Sequence, residues 1–227
     1  MKNQDDIFFK KEADAWYARN AHVLAPEARR SDLEQRLVRK HRLHPRRVLE
    51  VGAANGWRLE SMRRKRPGAR YTGVEPSAAA VREGKKVFPK LKLLRGVASA
   101  LPVKNVFDLV LVVFVLHWVS REKLLASVAE IDRTVAEGGY LLCSDFLPRV
   151  PRKNRYHHRP GLYTWKTDYG ALFESSGNYR PVERVITDYR TGERATPRTP
   201  EDFRAATTLY QKKTGVGYKE GAYQNKK

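Results

Sequence analysis

Short apolar runs alternate with amphipathic segments along the first two thirds of the chain. Five of these runs predict strands, at 46–52, 71–75, 91–96, 106–114 and 140–146. Apolar residues recur at helical spacing in the segments between them, which predicts helices over 55–66, 77–88 and 121–136. The run at 106–114 is apolar on both faces, as is typical of a strand inside a parallel sheet. Regular alternation of this kind predicts an α/β fold with right-handed crossovers.

Both ends of the chain depart from this alternation. Helical spacing predicts two helices before the first strand, over 5–20 and 27–41. Two late strands, 179–188 and 202–211, have no helix between them, so we expect them to pair antiparallel at one edge. The predicted architecture is a Rossmann-like, doubly wound sheet of seven strands, mostly parallel, with an antiparallel edge hairpin and N-terminal helices.

The same pattern predicts a domain organisation. Residues 1–42 form an N-terminal helical lid, and residues 43–212 form the α/β core. Within that core, residues 147–178 form an insertion that serves as a substrate loop. A glycine- and lysine-rich tail over 213–227 is expected to be flexible.

Composition narrows the possible environment of the protein. The single cysteine, Cys143, excludes an internal disulfide and suits a reducing compartment. The charged first residues lack the apolar run of a signal peptide, and the longest apolar run, 109–119, is too short to span a bilayer. We therefore expect a cytoplasmic protein without a membrane span.

The chain is strongly basic, with 45 Lys and Arg against 25 Asp and Glu, a formal charge of +20. Between residues 36 and 70 the excess is dense, with only Glu50 and Glu60 as acids. The bases there are Arg36, Arg39, Lys40, Arg42, Arg46, Arg47, Arg58, Arg63, Arg64, Lys65, Arg66 and Arg70. Such a stretch is either a solvated surface or a site for a polyanion such as RNA.

A turn of small residues follows the first strand and an acid ends the second. Gly52 to Gly56 let a backbone approach a ligand closely, and the next helix points its free N–H groups toward it. Glu75 could accept both hydrogen bonds of a ribose diol. A dinucleotide fingerprint needs a third glycine where this chain has Trp57, which argues against NAD.

Beyond these features, the chain resembles a known family over residues 46–146. VLEVGAANG and YTGVEPS resemble the first two motifs of class I S-adenosylmethionine-dependent methyltransferases. LLRGVASALP, FDLVLVVFVLHWV and LLASVAEIDRTVAEGGYLLCSDF are similar, in order, to the later motifs of that family. FFKKEADAWYARN and YHHRPGLYTWKTDYGALF resemble segments of a type 11-like bacterial subgroup often found near surface-glycan genes.

The resemblance implies S-adenosylmethionine as cofactor and a site for each part of it. It implies that the methionine end is lined by Glu50, Gly52, Ala53, Ala54, Asn55 and Gly56. Glu75 and Pro76 should hold the ribose, and Val97, Ala98 and Ser99 should flank the adenine. Phe114 and Trp118 should close the pocket, and Trp16 and Arg19 could belong to a lid over it.

Two residues depart from the family pattern. Ala54 replaces the usual middle glycine, and Val97 stands where an aspartate usually bonds the adenine amino group. Adenine recognition must then depend on backbone groups and apolar packing, so we expect a modest cofactor affinity.

Methyl transfer requires an aligned nucleophile and, for a hydroxyl, a general base. The candidate bases are His117, Asp145, His157 and His158. For His117 and Asp145 the alternative is a structural role, in a helix start or a turn. The candidate substrate-binding residues, which mix aromatic rings with cations as sugar or nucleotide pockets do, are Tyr156, Arg159, Tyr163 and Lys166. No metal-ligand cluster is evident.

These observations predict a methyltransferase that acts on a small-molecule or glycan-linked acceptor by O-methylation. A first alternative is an RNA methyltransferase that uses the basic 36–70 face for phosphates. A second is a binding protein whose catalysis has decayed on the same fold. The sequence assigns no oligomeric state.

Overall fold

A computed structural model describes residues 4–24 and 32–219 of the chain. The N-terminal helix begins as α1 (Gln4–Ile7), passes through a π-helical turn (Phe8–Glu12) and continues as α2 (Ala13–Asn20). The predicted second helix corresponds to α3 (Leu33–Lys40), where the Asp32 side chain caps the backbone N–H of Gln35. Residues 27–31 of that prediction lie outside the described part.

The predicted alternation of strands and helices is confirmed. The parallel strands are β1 (Arg47–Val51), β2 (Arg70–Glu75), β3 (Lys92–Arg95), β4 (Phe107–Val113) and β5 (Val135–Phe146). The crossover helices are α4 (Trp57–Lys65), α5 (Ala78–Val87) and α6 (Arg121–Thr134). Strand β5 is longer than predicted because Gly138, at φ +73°, lets the chain extend through a bulge opposite β4.

The region after β5 completes the sheet. It contains the hairpin β6 (Arg152–Arg155) and β7 (Tyr163–Lys166), the short helix α7 (Gly170–Glu174), and strands β8 (Tyr179–Asp188) and β9 (Arg204–Lys212). The seven-stranded sheet has the order β3-β2-β1-β4-β5-β9-β8, with β9 antiparallel to both of its neighbours. The predicted α/β, Rossmann-like sheet with an antiparallel edge pair is therefore confirmed.

Apolar side chains are buried on both faces of this sheet. Val48 and Leu109 pack under α3, α4 and α5, whereas Leu49 and Val110 pack on the opposite side against α6 and α7. The hairpin β6–β7 forms a separate two-stranded sheet with few buried side chains. For that reason the hydrophobic pattern did not single out these two strands within the predicted 147–178 insertion.

The basic tail predicted over 213–227 is described only as far as Lys219. Within that part, the backbone N–H of Thr214 donates to Glu137 and that of Gly217 donates to the carbonyl of Gly177. Residues 220–227 lie outside the described part, and the flexibility expected of them stays a prediction.

We expect Gly52→Ala to destabilise the protein more than Gly138→Ala. Both glycines have φ near +75°, so a side chain costs each roughly 1–2 kcal/mol of backbone strain. A Cβ at Gly52 would also lie 2.3 Å from Cγ2 of Val115, whereas nothing lies within 4 Å of one at Gly138. Overpacking of that kind adds about 1–3 kcal/mol.

Urea denaturation of both variants measures the difference in the free energy of unfolding. Equal losses for the two variants would show that Val115 moves aside freely and that the turn has room for a side chain.

Candidate active site

A cleft runs along the carboxyl ends of β1, β2 and β4. It encloses about 860 Å³ when the open solvent at its mouth is included. Nine residues singled out in the sequence line it: Trp16, Gly52, Glu75, Pro76, Val97, Ala98, Ser99, Phe114 and Trp118.

The turn after β1 is held tightly against β2. The backbone N–H groups of Gly52 and Ala53 both donate to the carbonyl of Val74, at 2.8 and 3.1 Å. Gly52, Ala54 and Gly56 all have positive φ, of +75°, +49° and +85°. Ala54 therefore occupies a left-handed conformation that a glycine would adopt without strain.

The rest of the turn lies behind the cleft. Gly56 is the N-cap of α4, so the free N–H groups of that helix start here. The side chain of Asn55 is buried, where its Nδ2 donates to the carbonyl of Leu24 and its Oδ1 accepts from the N–H of Trp57. Asn55 thus stiffens the turn from behind.

Glu75 is a buried carboxylate at the wall of the cleft. Its Oε2 accepts from the backbone N–H of Ala54 and its Oε1 from that of Ser77, both at 2.9 Å. Burial raises the pKa of Glu75 to about 7, even though these two hydrogen bonds oppose the rise. The group is consequently poised to lose a proton when hydrogen-bond donors arrive.

Glu50 belongs to a buried ionic cluster rather than to the lining of the cleft. Its Oε1 accepts from Arg58, whose Nε also donates to Asp32 at 2.8 Å. Burial and the neighbouring charge of Asp32 raise the pKa of Glu34 to about 8. Burial opposes the ionisation of Asp32, but Arg58 prevails and lowers its pKa to about 2. The cluster ties α3, β1 and α4 together behind the turn.

The loop after β3 forms the far wall of the cleft. Val97, Ala98 and Ser99 line it, and Val97 pairs with Ala100 in an isolated β-bridge. A Cβ on Gly96 would lie 2.6 Å from the ring of Pro102, so the chain can pass this close only with glycine. The wall therefore presents backbone groups and apolar surface where the related family has an acid.

The N-terminal helix covers the cleft through Asp5, Phe8 and Trp16. The π-helical turn lies at Phe8, and such turns are frequent at functional sites. Asp14 accepts from both the hydroxyl of Ser77 and the N–H of Ala79, at 2.6 and 3.0 Å, which anchors α2 to the start of α5. Sequence reasoning missed Asp5 and Phe8, whose positions depend on how this helix docks.

A second anchor joins the N-terminal helix to the hairpin β6–β7. The side-chain amide of Gln4 donates to the carbonyl of Tyr163 and accepts from its N–H, and it also donates to the carbonyl of Trp118. The side chain of Arg19 contacts Glu12 and donates to the hydroxyl of Tyr156 at 2.6 Å. Arg19 therefore bridges helix and hairpin beside the cleft.

His117 and Asp145 form a hydrogen-bonded pair where β4 and β5 end. Nδ1 of His117 lies 2.8 Å from Oδ1 of Asp145, and both side chains are almost fully buried. An ionised carboxylate only accepts, so this contact places a proton on Nδ1, and the neutral form of the ring then has its lone pair on Nε2. Asp145 also accepts from the backbone N–H groups of His117 and Phe146, which fixes its orientation.

Aromatic rings surround this pair. The ring of His117 lies 4.9 Å from Phe146 and 5.1 Å from Trp118. Phe114, at φ +54°, contacts Phe146 and Tyr189 with ring centroids 5.2 and 4.8 Å apart. Phe146 and Tyr189 were not singled out from the sequence, because they meet only through the order of β5, β9 and β8.

The hairpin residues fall into two groups. Lys166 is half-buried, between Asp202 and the ring of Phe146, and burial lowers its pKa. His157, His158 and Arg159 lie at the tip, where the two histidine rings are 3.9 Å apart. Arg159 approaches Glu12 at 4.0 Å. The remaining predicted hairpin residue, Tyr163, packs its ring against Trp165 and Lys153.

Several exposed arginines of the basic stretch 36–70 lie at the edge of the sheet opposite the cleft. Arg46 and Arg70 flank the amino ends of β1 and β2, and Arg39 is exposed near the end of α3. Strand β1 has five residues, which at about 3.3 Å each separate the two edges by roughly 16 Å. A polyanion on this face would lie one strand length away from the cleft.

Two kinds of feature are absent from the described residues. Over 4–24 and 32–219, no group of three or more His, Cys, Asp or Glu side chains could hold a metal ion. None of the helices in the same ranges has the length and apolarity needed to cross a membrane.

Part of the chain is similar in sequence to known methyltransferases. Residues 49–143 match the family model of a methyltransferase domain. The chain is also 33% identical over 109 residues to a phthiotriol/phenolphthiotriol dimycocerosates methyltransferase of Mycobacterium ulcerans. The aligned segment covers 47% of this chain. The match spans only 40% of that relative's length.

Solved structures share the fold across nearly the whole chain. An S-adenosylmethionine-bound amino pentose methyltransferase from Micromonospora echinaspora has a TM-score of 0.62 at 19% identity, covering 89% of this chain and 97% of its own. A 1,6-didemethyltoxoflavin N1-methyltransferase from Burkholderia thailandensis, bound to S-adenosylhomocysteine, also scores 0.62, at 16% identity over 92% and 87%. At these identities the likeness establishes the fold.

The residues of the cleft fit S-adenosylmethionine. The Glu75 carboxylate can accept from a ribose diol, and Gly52 lets a ligand approach the backbone. Glu50 lies behind this lining, two residues before Gly52, and its buried Oε2 has no hydrogen-bond partner among the described residues. The aromatic ring of Trp118 and the backbone of Val97 to Ser99 offer surfaces for the adenine.

We expect S-adenosylhomocysteine to bind more weakly as the pH falls below about 7. The free Glu75 carboxyl is protonated below its raised pKa of about 7, and the diol needs the ionised form. Binding therefore releases a proton in this range, and the association constant should fall up to about tenfold for each pH unit.

Calorimetric titrations between pH 5.5 and 8.5, in buffers of different ionisation enthalpy, measure both the affinity and the proton release. Glu75→Gln should bind weakly at every pH and should show no such slope. An affinity of the unsubstituted protein that stays constant from pH 5.5 to 8 would contradict the assignment of Glu75.

Proposed function

We propose that the chain is a class I S-adenosylmethionine-dependent methyltransferase and that it methylates a hydroxyl of a small-molecule or glycan-linked acceptor. The match of residues 49–143 to a methyltransferase domain and the shared fold support the first part of this proposal. The observation that carries this proposal is the pair of His117 and Asp145 beside the cleft. A hydroxyl is a poor nucleophile at neutral pH until a base removes its proton, whereas an amine needs such help less.

The division of labour between cofactor and chain is simple. The cofactor, when bound, supplies the electrophilic methyl group. Glu75 and the turn at Gly52 orient it, and Phe8 and Trp16 cover it from the lid. His117 accepts the proton of the acceptor hydroxyl at Nε2, and Asp145 holds the ring and stabilises the imidazolium that forms.

The acceptor binds against the aromatic cluster of Phe114, Phe146 and Tyr189, whose ring centroids lie 4.8 to 5.2 Å apart. This cluster adjoins both the cleft, through Phe114, and the base, through the ring contact of Phe146 with His117. Flat apolar rings bind the faces of sugar rings and other small scaffolds while excluding water from the reacting atoms. Two of the similar proteins carry sugar or lipid acceptors in their names, which supports a small acceptor.

The alternatives fit this geometry less well. An RNA bound on the 36–70 face would hold its phosphates at the edge of the sheet away from the cleft. A decayed binding protein would have no use for an oriented His117–Asp145 pair next to an intact Glu75 site.

The compartment and the domain roles are part of the same proposal. The free, buried thiol of Cys143 is compatible with a reducing cytoplasm. Contacts of Asp5, Phe8 and Trp16 with the cleft support a lid role for the N-terminal helices, and the closeness of the hairpin to Trp118 supports a substrate role for 147–178.

Incubation with methyl-labelled S-adenosylmethionine and extract of the host tests the proposal. Label should appear in ribonuclease-resistant small molecules or polysaccharide. Label that ribonuclease removes from the macromolecular fraction would favour RNA as acceptor, and no label at all, with S-adenosylhomocysteine still bound, would favour the decayed protein.

We expect His117→Asn to slow label transfer by about 10²- to 10⁴-fold, the usual contribution of a general base. Asp145→Asn should slow it less, because the ring remains but loses its carboxylate. Neither variant should change the affinity for S-adenosylhomocysteine more than about twofold, since neither side chain lines the cleft. His44→Asn, at the opposite edge of the sheet, is the matched control and should retain full activity.

A loss below tenfold in His117→Asn would contradict its role as base. It would point instead to an amine acceptor, whose nitrogen attacks without such assistance.

A further inference from the structure

We propose that the hairpin β6–β7 forms a binding site for the diphosphate group of the acceptor. This site would lie beside the aromatic cluster of Phe114, Phe146 and Tyr189. This inference rests on the proposed function and narrows its acceptor to a sugar that carries a diphosphate. It assigns His157 and His158 to anion binding instead of proton transfer.

The first observation is the sign of the charges in this segment. Between Asp145 and Asp168 the sequence contains no acidic residue. The same stretch holds six Lys or Arg and two His: Arg149, Arg152, Lys153, Arg155, His157, His158, Arg159 and Lys166. A run of this density, on a hairpin with little buried surface, needs anions from elsewhere to balance it.

The second observation is which of these cations have partners. Arg149 pairs with Glu201, and Arg152 and Lys166 share Asp202. Within the described residues, Arg155, His157 and His158 form no ion pair with a carboxylate. All three are exposed, so their donors are available to a ligand.

The third observation is the position of these cations. Tyr156, which follows Arg155 in the chain, lies between the two histidines and the cleft: its ring is 4.7 Å from that of Trp118 and 5.3 Å from that of His158. Trp118 in turn lines the cleft and lies 5.1 Å from the ring of His117. The histidine pair is thus separated from the base by two aromatic rings, and by about 15 Å at most if the three centroid contacts add along a line.

That separation suits a sugar diphosphate. A sugar ring can lie against the aromatic cluster of Phe114, Phe146 and Tyr189 with one of its hydroxyls at His117. Its anomeric diphosphate then extends past Tyr156 to the tip of the hairpin. The guanidinium of Arg155 matches phosphate oxygens with paired donors, and each histidine ring can donate one N–H to a phosphate oxygen. A single carboxylate would leave most of these cations unsatisfied.

A diphosphate of this kind has two sources, a soluble nucleoside diphosphate-sugar and a lipid-linked sugar diphosphate. Both present the same group to the hairpin. They differ in the group at the far end of the diphosphate, a nucleoside or a lipid, which would extend beyond the hairpin into solvent.

Binding of inorganic pyrophosphate to the protein saturated with S-adenosylhomocysteine tests the site directly. Arg155→Glu should weaken this binding by at least about tenfold, as expected for the loss of charge-assisted bonds. Arg39→Glu makes the same change of charge on the opposite face and should alter the binding less than twofold. Both variants should bind S-adenosylhomocysteine normally, which shows that they fold. Equal weakening in the two variants, or none in either, would overturn the site.

The extract assay separates this inference from the proposed function. If label transfer occurs, the labelled product should be retained on an anion exchanger and lose that retention after pyrophosphatase and phosphatase treatment, and Arg155→Glu should slow its formation. A labelled product without phosphate would overturn the diphosphate site and leave the methyltransferase intact. Extraction of the product into butanol identifies the lipid-linked source, whereas an aqueous product identifies the nucleotide sugar.

Discussion

A buried carboxylate fixes the turn after β1 relative to the start of α5, and the cleft lies between these two segments. Glu75 accepts one backbone hydrogen bond from the turn after β1 and another from the start of α5. Those bonds fix the glycine turn relative to the end of β2, and Asp14 fastens the N-terminal helix to the same corner through Ser77. Lid, turn and ribose site therefore share one anchor. The protein tolerates the cost of burying this acid because the position also serves a ligand that can satisfy it.

Sequence reasoning reached the parts of the molecule that depend on local pattern. The five parallel strands, the late antiparallel pair and Glu75 follow from apolar runs and from spacing along the chain. His117 and Asp145 could be selected one by one, since each follows an apolar strand. Their pairing, and the contacts of Phe146 with Tyr189, depend on strand order and loop conformation. Likewise, the hairpin β6–β7 has no buried face, so hydrophobic periodicity gave no sign of it.

The positive charge of the chain divides into two surfaces with different surroundings. The surface formed by Arg36, Arg39, Arg46 and Arg70 faces away from the cleft, beyond the amino ends of the strands. In the hairpin, the exposed basic residues Arg155, His157 and His158 flank Tyr156, whose ring contacts Trp118 at the cleft. Net charge alone could not separate these surfaces, although only the second belongs to the site proposed for the acceptor. One basic residue of the 36–70 stretch, Arg58, turned inward to neutralise Glu50 and Asp32.

The hydrogen bonds of Gln4 to the hairpin differ in kind from the charge–charge attraction that would hold an anion there. Its neutral amide pairs with both backbone groups of Tyr163, much as a neighbouring strand would. Dissolved ions screen charge–charge attraction but have little effect on such an amide pair. Raising the ionic strength should therefore release an anion from the hairpin while the lid stays closed. Capture of the acceptor and enclosure of the cofactor would then respond independently to the salt content of the surroundings.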